Sequence, residues 1–361
     1  MSQAPQDAGV LALVDERLAA TPSATAVVAD GTAWTYAELD ALSRAHAADL
    51  VRAGAGQEDV VAVVAERGPR YVAAVLGVLR AGAAFLPVEP GTPVRRARGM
   101  CAAARVRTLI AEPGHEAQAT KIATEIAAGA AGPPAVLTAA PGPAFAGTVA
   151  RHPDGLAYVI FTSGSTGTPK GAMVTDGGMA NHVAAKIADL GLVTGDVVGL
   201  TAPLSFDISV WQALTPLAAG GRVAVASTAN LAEPVELVGW LRRHGVTVLE
   251  LVPSFLAVLL DELAADAGLR AGLASLRQSG AFEGKLTGII AETGAALSAK
   301  QTVAAAQTSI RDGAVSARDA VSGVNLDDEA VNLLRFQQAY QASSRVIQVA
   351  RETLQSILDI H

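Results

Sequence analysis

The sequence is poor in cysteine, in aromatic residues and in charge. One cysteine in 361 residues excludes a disulfide framework and a metal site built from several cysteines. Charged residues make up 17% of the chain and hydrophobic residues 51%, a balance typical of globular chains with a large core. Cys101 lies among alanines, which indicates a small buried core residue instead of a reactive thiol.

Long apolar runs and a positive net charge are also lacking. No stretch of about 18 apolar residues is present, and residues 1–9 lack the basic and apolar parts of a signal peptide. The net charge is -7 and the pI is near 5.4, and we expect no clustered Lys/Arg face. We therefore expect no membrane or nucleic-acid partner, with the cytoplasm as the default compartment.

Composition changes sharply near Gln278. All 17 prolines and all three tryptophans precede residue 279. The change predicts two domains, over residues 1–278 and 279–361.

The first of these segments alternates between apolar runs and helical patterns. Predicted strands cover residues 25–29, 59–65, 84–88, 156–161, 197–201, 222–226 and 246–251. Predicted helices cover residues 10–20, 36–54, 70–81, 179–190, 209–219, 234–244 and 254–265. Residues 113–150 are rich in Ala, Gly and Pro, which favours a loose connection with one short helix near 118–128. The alternation predicts an α/β fold built from βαβ units.

A loop rich in glycine and hydroxyl side chains follows the apolar run 156–161. Glycines let backbone N–H groups approach an anion closely, hydroxyl groups add donors, and a lysine adds positive charge. The order differs from a Walker A loop, where Gly-Lys precedes Ser or Thr. A surface turn is the alternative, but it does not explain this order after a buried strand. The predicted polyphosphate-binding residues are Thr162, Ser163, Gly164, Ser165, Thr166, Gly167 and Lys170.

The stretch from Leu156 to Gly171 resembles the phosphate-binding core motif of nonribosomal peptide synthetase adenylation domains, within the acyl-adenylate-forming superfamily. Two earlier stretches, 34–39 (WTYAEL) and 79–90 (LRAGAAFLPVEP), resemble the first two core motifs of that family. The resemblance implies an incomplete adenylate-forming N-terminal region, with mixed or parallel sheets flanked by helices. It also implies an AMP-forming amino-acid ligase that uses ATP and Mg2+.

A fourth stretch, 206–211 (FDISVW), resembles the motif that opens the amino-acid pocket of the family. By resemblance, Asp207 holds the α-ammonium group of the substrate, and Ile208, Trp211 and Ser254 are wall positions. From the residues alone, Asp207 is a helix N-cap, because an aspartate before an apolar helical pattern satisfies free N–H groups. The ordered series of four motifs favours the pocket. No residue is assigned as catalytic, and the amino acid is not specified.

The resemblance ends at residue 278. The later family motifs (Tyr-Gly-Pro-Thr-Glu, Thr-Gly-Asp and a C-terminal lid with a catalytic lysine) have no counterpart in the residues that follow. Because adenylation depends on positioning and electrostatics, we expect a truncated domain with residual ATP or polyphosphate binding and little turnover. We also expect uncovered sheet edges.

Residues 279–361 carry a different pattern. Residues 326–360 contain no proline or glycine, and they predict a heptad seam of Leu333, Phe336, Tyr340, Ser343, Ile347, Ala350, Leu354 and Ile357. Residues 322–343 resemble the C-terminal signature of flagellar hook-associated protein 1. This resemblance implies an all-α segment that contacts a helix partner or flagellar axial subunits, outside the cell if it dominates. A generic amphipathic helix is the alternative. We therefore predict a fusion, with a flagellar hook-filament junction fragment as the alternative function.

Overall fold

A computed structural model describes residues 9–29, 31–127, 133–138, 145, 147–162, 170–252, 255–256, 258–259 and 335. The chain divides into two units, Met1–Arg270 and Ala271–His361, and all the strands and helices named here belong to the first. The predicted all-α segment and its heptad seam lie outside the described residues, apart from Arg335.

Strands and helices alternate along the described part of the chain. The strands are β1 Thr25–Ala29, β2 Thr32–Thr35, β3 Val60–Val64, β4 Ala84–Val88, β5 Thr108–Ala111, β6 Ala135–Thr138, β7 Leu156–Thr162, β8 Lys170–Thr175, β9 Val197–Leu200 and β10 Arg222–Val225. The helices are α1 Val10–Ala20, α2 Tyr36–Arg52, α3 Pro69–Arg80, α4 Val94–Ala103, α5 Glu116–Ala127, α6 Asp176–Leu190, α7 Ile208–Ala219, α8 Thr228–Ala232 and α9 Pro234–His244. None of these helices is long and apolar enough to cross a bilayer.

Two sheets organise this unit. The smaller has four strands in the order β2-β1-β10-β9, and the larger has six in the order β6-β5-β3-β4-β7-β8. Neighbouring strands are parallel except in the hairpins β1–β2 and β7–β8, which are antiparallel. The predicted α/β class, with mixed sheets flanked by helices, is confirmed.

Strand β3 shows why the larger sheet is buried on both faces. Side chains alternate across a strand, so adjacent residues enter different cores. Val61 and Val63 join a core that also receives residues from α1, α2, α3, α7 and the smaller sheet. Val60 and Val64 face a second core, which α4 and α5 cover. A run of five buried residues therefore replaces the polar and apolar alternation of a half-exposed strand.

Helix α4 closes the second core with Ala97, Met100 and Cys101. Cys101 is fully buried, as predicted, and burial raises the pKa of its thiol to about 12. The sequence analysis did not predict α4, because three arginines interrupt its apolar spacing.

Predicted and observed bounds agree for β1, β4, α1 and α9, and they differ elsewhere for local reasons. The predicted strand 246–251 is not a regular strand, because its pairing with β9 is limited to a single bridge between Val198 and Val248. Beside this bridge, the Thr247 hydroxyl donates to the Asp196 carboxylate and accepts from the backbone N–H of Val197. Within the connection 113–150, the short helix predicted near 118–128 is α5, whereas β6, which pairs with β5, was not predicted.

Candidate functional site

The β7–β8 hairpin holds the two ends of the glycine-rich loop together. Strand β7 is buried from Ala157 to Phe161 and ends at the exposed Thr162. Lys170 begins β8 and pairs with Thr162, whose hydroxyl lies 3.5 Å from the Lys170 carbonyl oxygen. The structure therefore brings Thr162 and Lys170 together, as the loop assignment requires. The predicted residues Ser163, Gly164, Ser165, Thr166 and Gly167 lie outside the described part of the chain.

Lys170 presents its charge to solvent. Its side chain is exposed and makes no hydrogen bond or ion pair with the described residues. The next residue, Gly171, is fixed by packing, since a Cβ there would lie 3.1 Å from Val159 and 3.2 Å from Phe161. Because Gly171 has no side chain, β8 can lie close to the ring of Phe161 at the end of β7. This pairing places Lys170 opposite Thr162.

A buried amide holds the loop between β9 and α7. The Gln212 side chain is fully buried, and its Oε1 accepts from the backbone N–H groups of Thr201 and Ala202, both at 3.0 Å. Its Nε2 lies 3.4 Å from the Glu250 carbonyl oxygen. One side chain on α7 thus fixes the start of the loop that leads to Asp207.

The same loop is tied to the larger sheet. The Glu89 carboxylate, which follows β4, accepts from the backbone N–H of Leu204 at 2.7 Å. The Arg67 guanidinium, which follows β3, donates to the Thr201 carbonyl oxygen at 2.6 Å. Carboxyl ends of parallel strands are where α/β folds place ligands. The loop after β9 therefore lies against the edge of the sheet at which β7 delivers Thr162.

Asp207 occupies the N-cap position of α7 but makes no capping hydrogen bond from its side chain. The hydroxyl of Ser209 donates to the Phe206 carbonyl oxygen at 2.7 Å in that first turn. Asp207 is exposed, and its negative charge adds to burial in raising the pKa of Tyr158, on β7. The Asp207 carboxylate is thus close to the larger sheet and makes no hydrogen bond with the first turn of α7.

Trp211 lies one turn further along α7 and is 1% exposed. The Lys186 ammonium lies 4.6 Å from the centroid of its ring, a cation–π contact, and 3.3 Å from Glu250 Oε2. Ile208 packs in the same apolar cluster. The indole N–H has no hydrogen-bond partner among the described residues. The structure therefore brings Ile208 and Trp211 into one cluster, whereas Asp207 is exposed at the start of the same helix and Ser254 lies outside the described residues.

Four residues of this region carry contacts that the sequence patterns do not indicate. Glu89 stands in the second motif, 79–90, for which the sequence indicates no site role. Gln212 had a usable signal, because it is the largest polar residue in the mostly apolar helix α7. Lys186 and Arg67 had none, because their contacts span 25 residues or more and depend on the fold.

Comparisons with known proteins identify the family. The family model described as AMP-binding enzyme matches residues 14–311, and the chain belongs to this family. The model described as flagellar basal body rod FlgEFG protein C-terminal matches residues 316–360. The predicted union of an adenylation-type segment with a flagellar-type segment is supported.

Similar proteins indicate which class of AMP-binding enzyme the chain resembles. The nonribosomal peptide synthetase CymA of Salinispora arenicola is 41% identical over an alignment of 274 residues that covers 73% of this chain and 3% of CymA. Tyrocidine synthase 3 of Brevibacillus parabrevis is 34% identical over an alignment of 256 residues that covers 69% of this chain and 4% of the synthase. The AMPPNP-bound structure of the synthetase FmoA3 matches with a TM-score of 0.63 and 30% identity, over 73% of this chain and 28% of that one. The chain therefore contains an adenylate-forming enzyme domain similar to nonribosomal peptide synthetase adenylation domains, and it spans a small part of these relatives.

Proposed function

We propose that residues 1–278 form a truncated amino-acid-adenylating domain that binds ATP or polyphosphate weakly and turns over little. The carrying observation is the exposed Lys170, which has no ion-pair partner among the described residues and stands beside Thr162 at the carboxyl end of a buried strand. Its ammonium group would neutralise phosphate charge, and the Thr162 hydroxyl would donate to a phosphate oxygen. ATP would bind through the loop of residues 162–170. Mg2+ is proposed as its companion on family resemblance alone.

The amino-acid side of the proposal rests on Asp207. Its carboxylate makes no capping bond and would pair with the α-ammonium group of a substrate, with Ile208, Trp211 and Ser254 as proposed wall positions. Glu89 ties the loop before Asp207 to the end of β4. The proposed amino-acid subsite and the proposed phosphate subsite are therefore both attached to the larger sheet. A substrate carboxylate could then be held near the phosphates.

Adenylation requires more than these two contacts. The substrate carboxylate attacks the α-phosphate and pyrophosphate leaves, so catalysis depends on holding the nucleotide in line and on neutralising charge. In the resembled family, later motifs bind adenine and ribose, and a lid carries a lysine. Residues 279–361 contain no counterpart of those motifs. We therefore propose that this chain retains weak binding of ATP or polyphosphate but catalyses little adenylation.

Two assays on the full chain test the proposal. In ATP–pyrophosphate exchange with each amino acid, we expect no robust exchange. In equilibrium binding, we expect weak ATP binding that Lys170→Ala reduces and that Lys121→Ala, at an exposed lysine of α5, leaves unchanged. Robust exchange that Lys170→Ala abolishes would show that the chemistry is intact. Equal ATP binding by both variants would remove the assignment of the phosphate loop.

A second candidate function rests on the family match at residues 316–360. We propose as the alternative that this segment is a structural fragment that binds flagellar axial subunits at the hook-filament junction. The test is co-sedimentation of the full chain with purified hooks. A Gln338→Pro variant is the control, because proline interrupts a helix. Absence of co-sedimentation by the unmodified chain would remove this function.

A further inference from the structure

Five arginines cluster around helix α4. Arg95, Arg96 and Arg98 lie on the helix, and Arg105 and Arg107 lie in the segment between α4 and β5. All five are exposed, and none of their side chains makes a hydrogen bond or ion pair with the described residues. We call these five residues the arginine surface. The expectation that the chain has no clustered basic face is therefore wrong here, although its net charge is -7.

One feature of the arginine surface is locally unfavourable. Arg95 and Arg96 lie in the first turn of α4, which has no acidic residue and no side-chain cap, and cations at a helix N-terminus oppose the helix dipole. At the other end of the helix, Arg105 has a φ of 54°, and the backbone N–H groups of Arg105 and Val106 donate to the carbonyl oxygens of Ala102 and Cys101 at 3.1 and 2.9 Å. These two hydrogen bonds form a Schellman C-cap, which accounts for the left-handed conformation of Arg105.

Small residues form a floor between the arginines. Gly99, Ala102 and Ala103 are exposed, and a Cβ at Gly99 would meet no atom within 4 Å. By helical spacing, Gly99 and Ala102 lie on the same face as Arg95. The outer face of α4 therefore has short side chains at its centre and long cationic side chains around them. Another helix could approach such a face closely, with its own side chains within reach of the guanidinium groups.

We propose that the arginine surface binds an acidic helix of a partner protein. Guanidinium groups present paired donors that match a carboxylate, and the surface contains arginine only, without lysine. Residues 91–107 contain no aromatic side chain on which an unpaired base could stack. They also expose no large apolar side chain that could enter a lipid surface. The negative charge of the whole chain disfavours a long polyanion, whereas a short acidic helix contacts only this surface.

The test is fluorescence anisotropy of the full chain with a labelled helical peptide of alanine and glutamate, its glutamates on one face, at low salt. We expect binding that Arg95→Gln combined with Arg98→Gln weakens by about fivefold or more. The matched control is Arg52→Gln combined with Arg243→Gln, which removes the same charge from exposed positions elsewhere and leaves binding unchanged. The same peptide with glutamine in place of glutamate should not bind.

Three outcomes would overturn the proposal. These are no binding of the glutamate peptide, an equal loss in both double variants, or tighter binding to duplex DNA or phosphatidylserine vesicles than to the peptide. The result is independent of the proposed adenylation function, because neither double variant touches Thr162, Lys170 or Asp207.

Discussion

The buried guanidinium of Arg80 donates two hydrogen bonds to the carboxylate of Asp15, at 2.6 and 3.1 Å. Asp40 accepts a further one at 2.7 Å, and the Ser43 hydroxyl accepts one at 3.0 Å. These contacts join α1 and α2 to the end of α3. Because the Arg80 side chain has no exposure, its charge depends on these partners.

Replacing Arg80 should be costly. Arg80→Met removes the shared partner of two carboxylates that are 35% and 14% exposed, and breaking such a buried pair costs about 3 kcal/mol or more. The measurement is the free energy of unfolding in urea. Arg52→Met is the matched control, since the Arg52 side chain is 61% exposed and, among the described residues, pairs with Asp49 alone, a contact worth below about 1 kcal/mol. Similar small losses in both variants would mean that solvent compensates Arg80.

Two helical glycines should respond oppositely to alanine. A Cβ at Gly77 would lie 2.5 Å from the Cβ of His46 and 2.7 Å from the Ser43 carbonyl oxygen, so Gly77→Ala should force α2 and α3 apart. We expect a loss of about 1–3 kcal/mol in the free energy of unfolding. Gly99→Ala enters open space on α4 and should stabilise by about 0.5–1 kcal/mol. Thermal unfolding of both variants checks the sign, and a neutral Gly77→Ala would show that the helix contact is loose.

His46 should make stability depend on pH. Burial lowers its pKa from 6.5 to about 4, with Arg70 adding to this effect and Asp49 opposing it. The unfolded chain takes up the proton below pH 6.5 and the folded chain only near pH 4, so stability falls as the pH falls through this window. The full contribution is about 3 kcal/mol. Urea unfolding from pH 7 to pH 4 should show a smaller decline for His46→Gln than for the unmodified chain, and parallel curves would contradict the shift.

Glu89 should control the loop before Asp207. Glu89→Ala leaves the N–H of Leu204 without its acceptor, which costs about 1–3 kcal/mol for a buried donor. Hydrogen exchange should accelerate in residues 201–206 of this variant. Glu89→Gln keeps an acceptor oxygen and should restore most of the protection. If Glu89→Gln behaves like Glu89→Ala, the effect comes from the lost charge beside Arg67. Burial lowers the pKa of Arg67, and the charge of Glu89 opposes this shift.

The predictable part of this fold was the part with local periodicity. Strands β1 and β4 and helices α1 and α9 have clear apolar spacing, and their bounds were predicted correctly. Strand β8 begins Lys-Gly-Ala, has little apolar character, and exists because β7 supplies its partner. The contact between Glu89 and Leu204 spans 115 residues, and only the fold brings these residues together. The sequence therefore indicates Thr162 and Lys170 as site candidates, and Asp207 by resemblance, and these assignments stay predictions. It does not indicate the residues that hold the neighbouring loops in place.

Cys101 gives this chain a built-in reporter of one surface. It is the single thiol of the sequence and lies on the buried face of α4, whose outer face carries the arginine surface. A thiol reagent can reach it only when α4 lifts away from the second core, so its labelling rate measures that opening without any engineered probe. Occupation of the outer face would slow the labelling of the inner one.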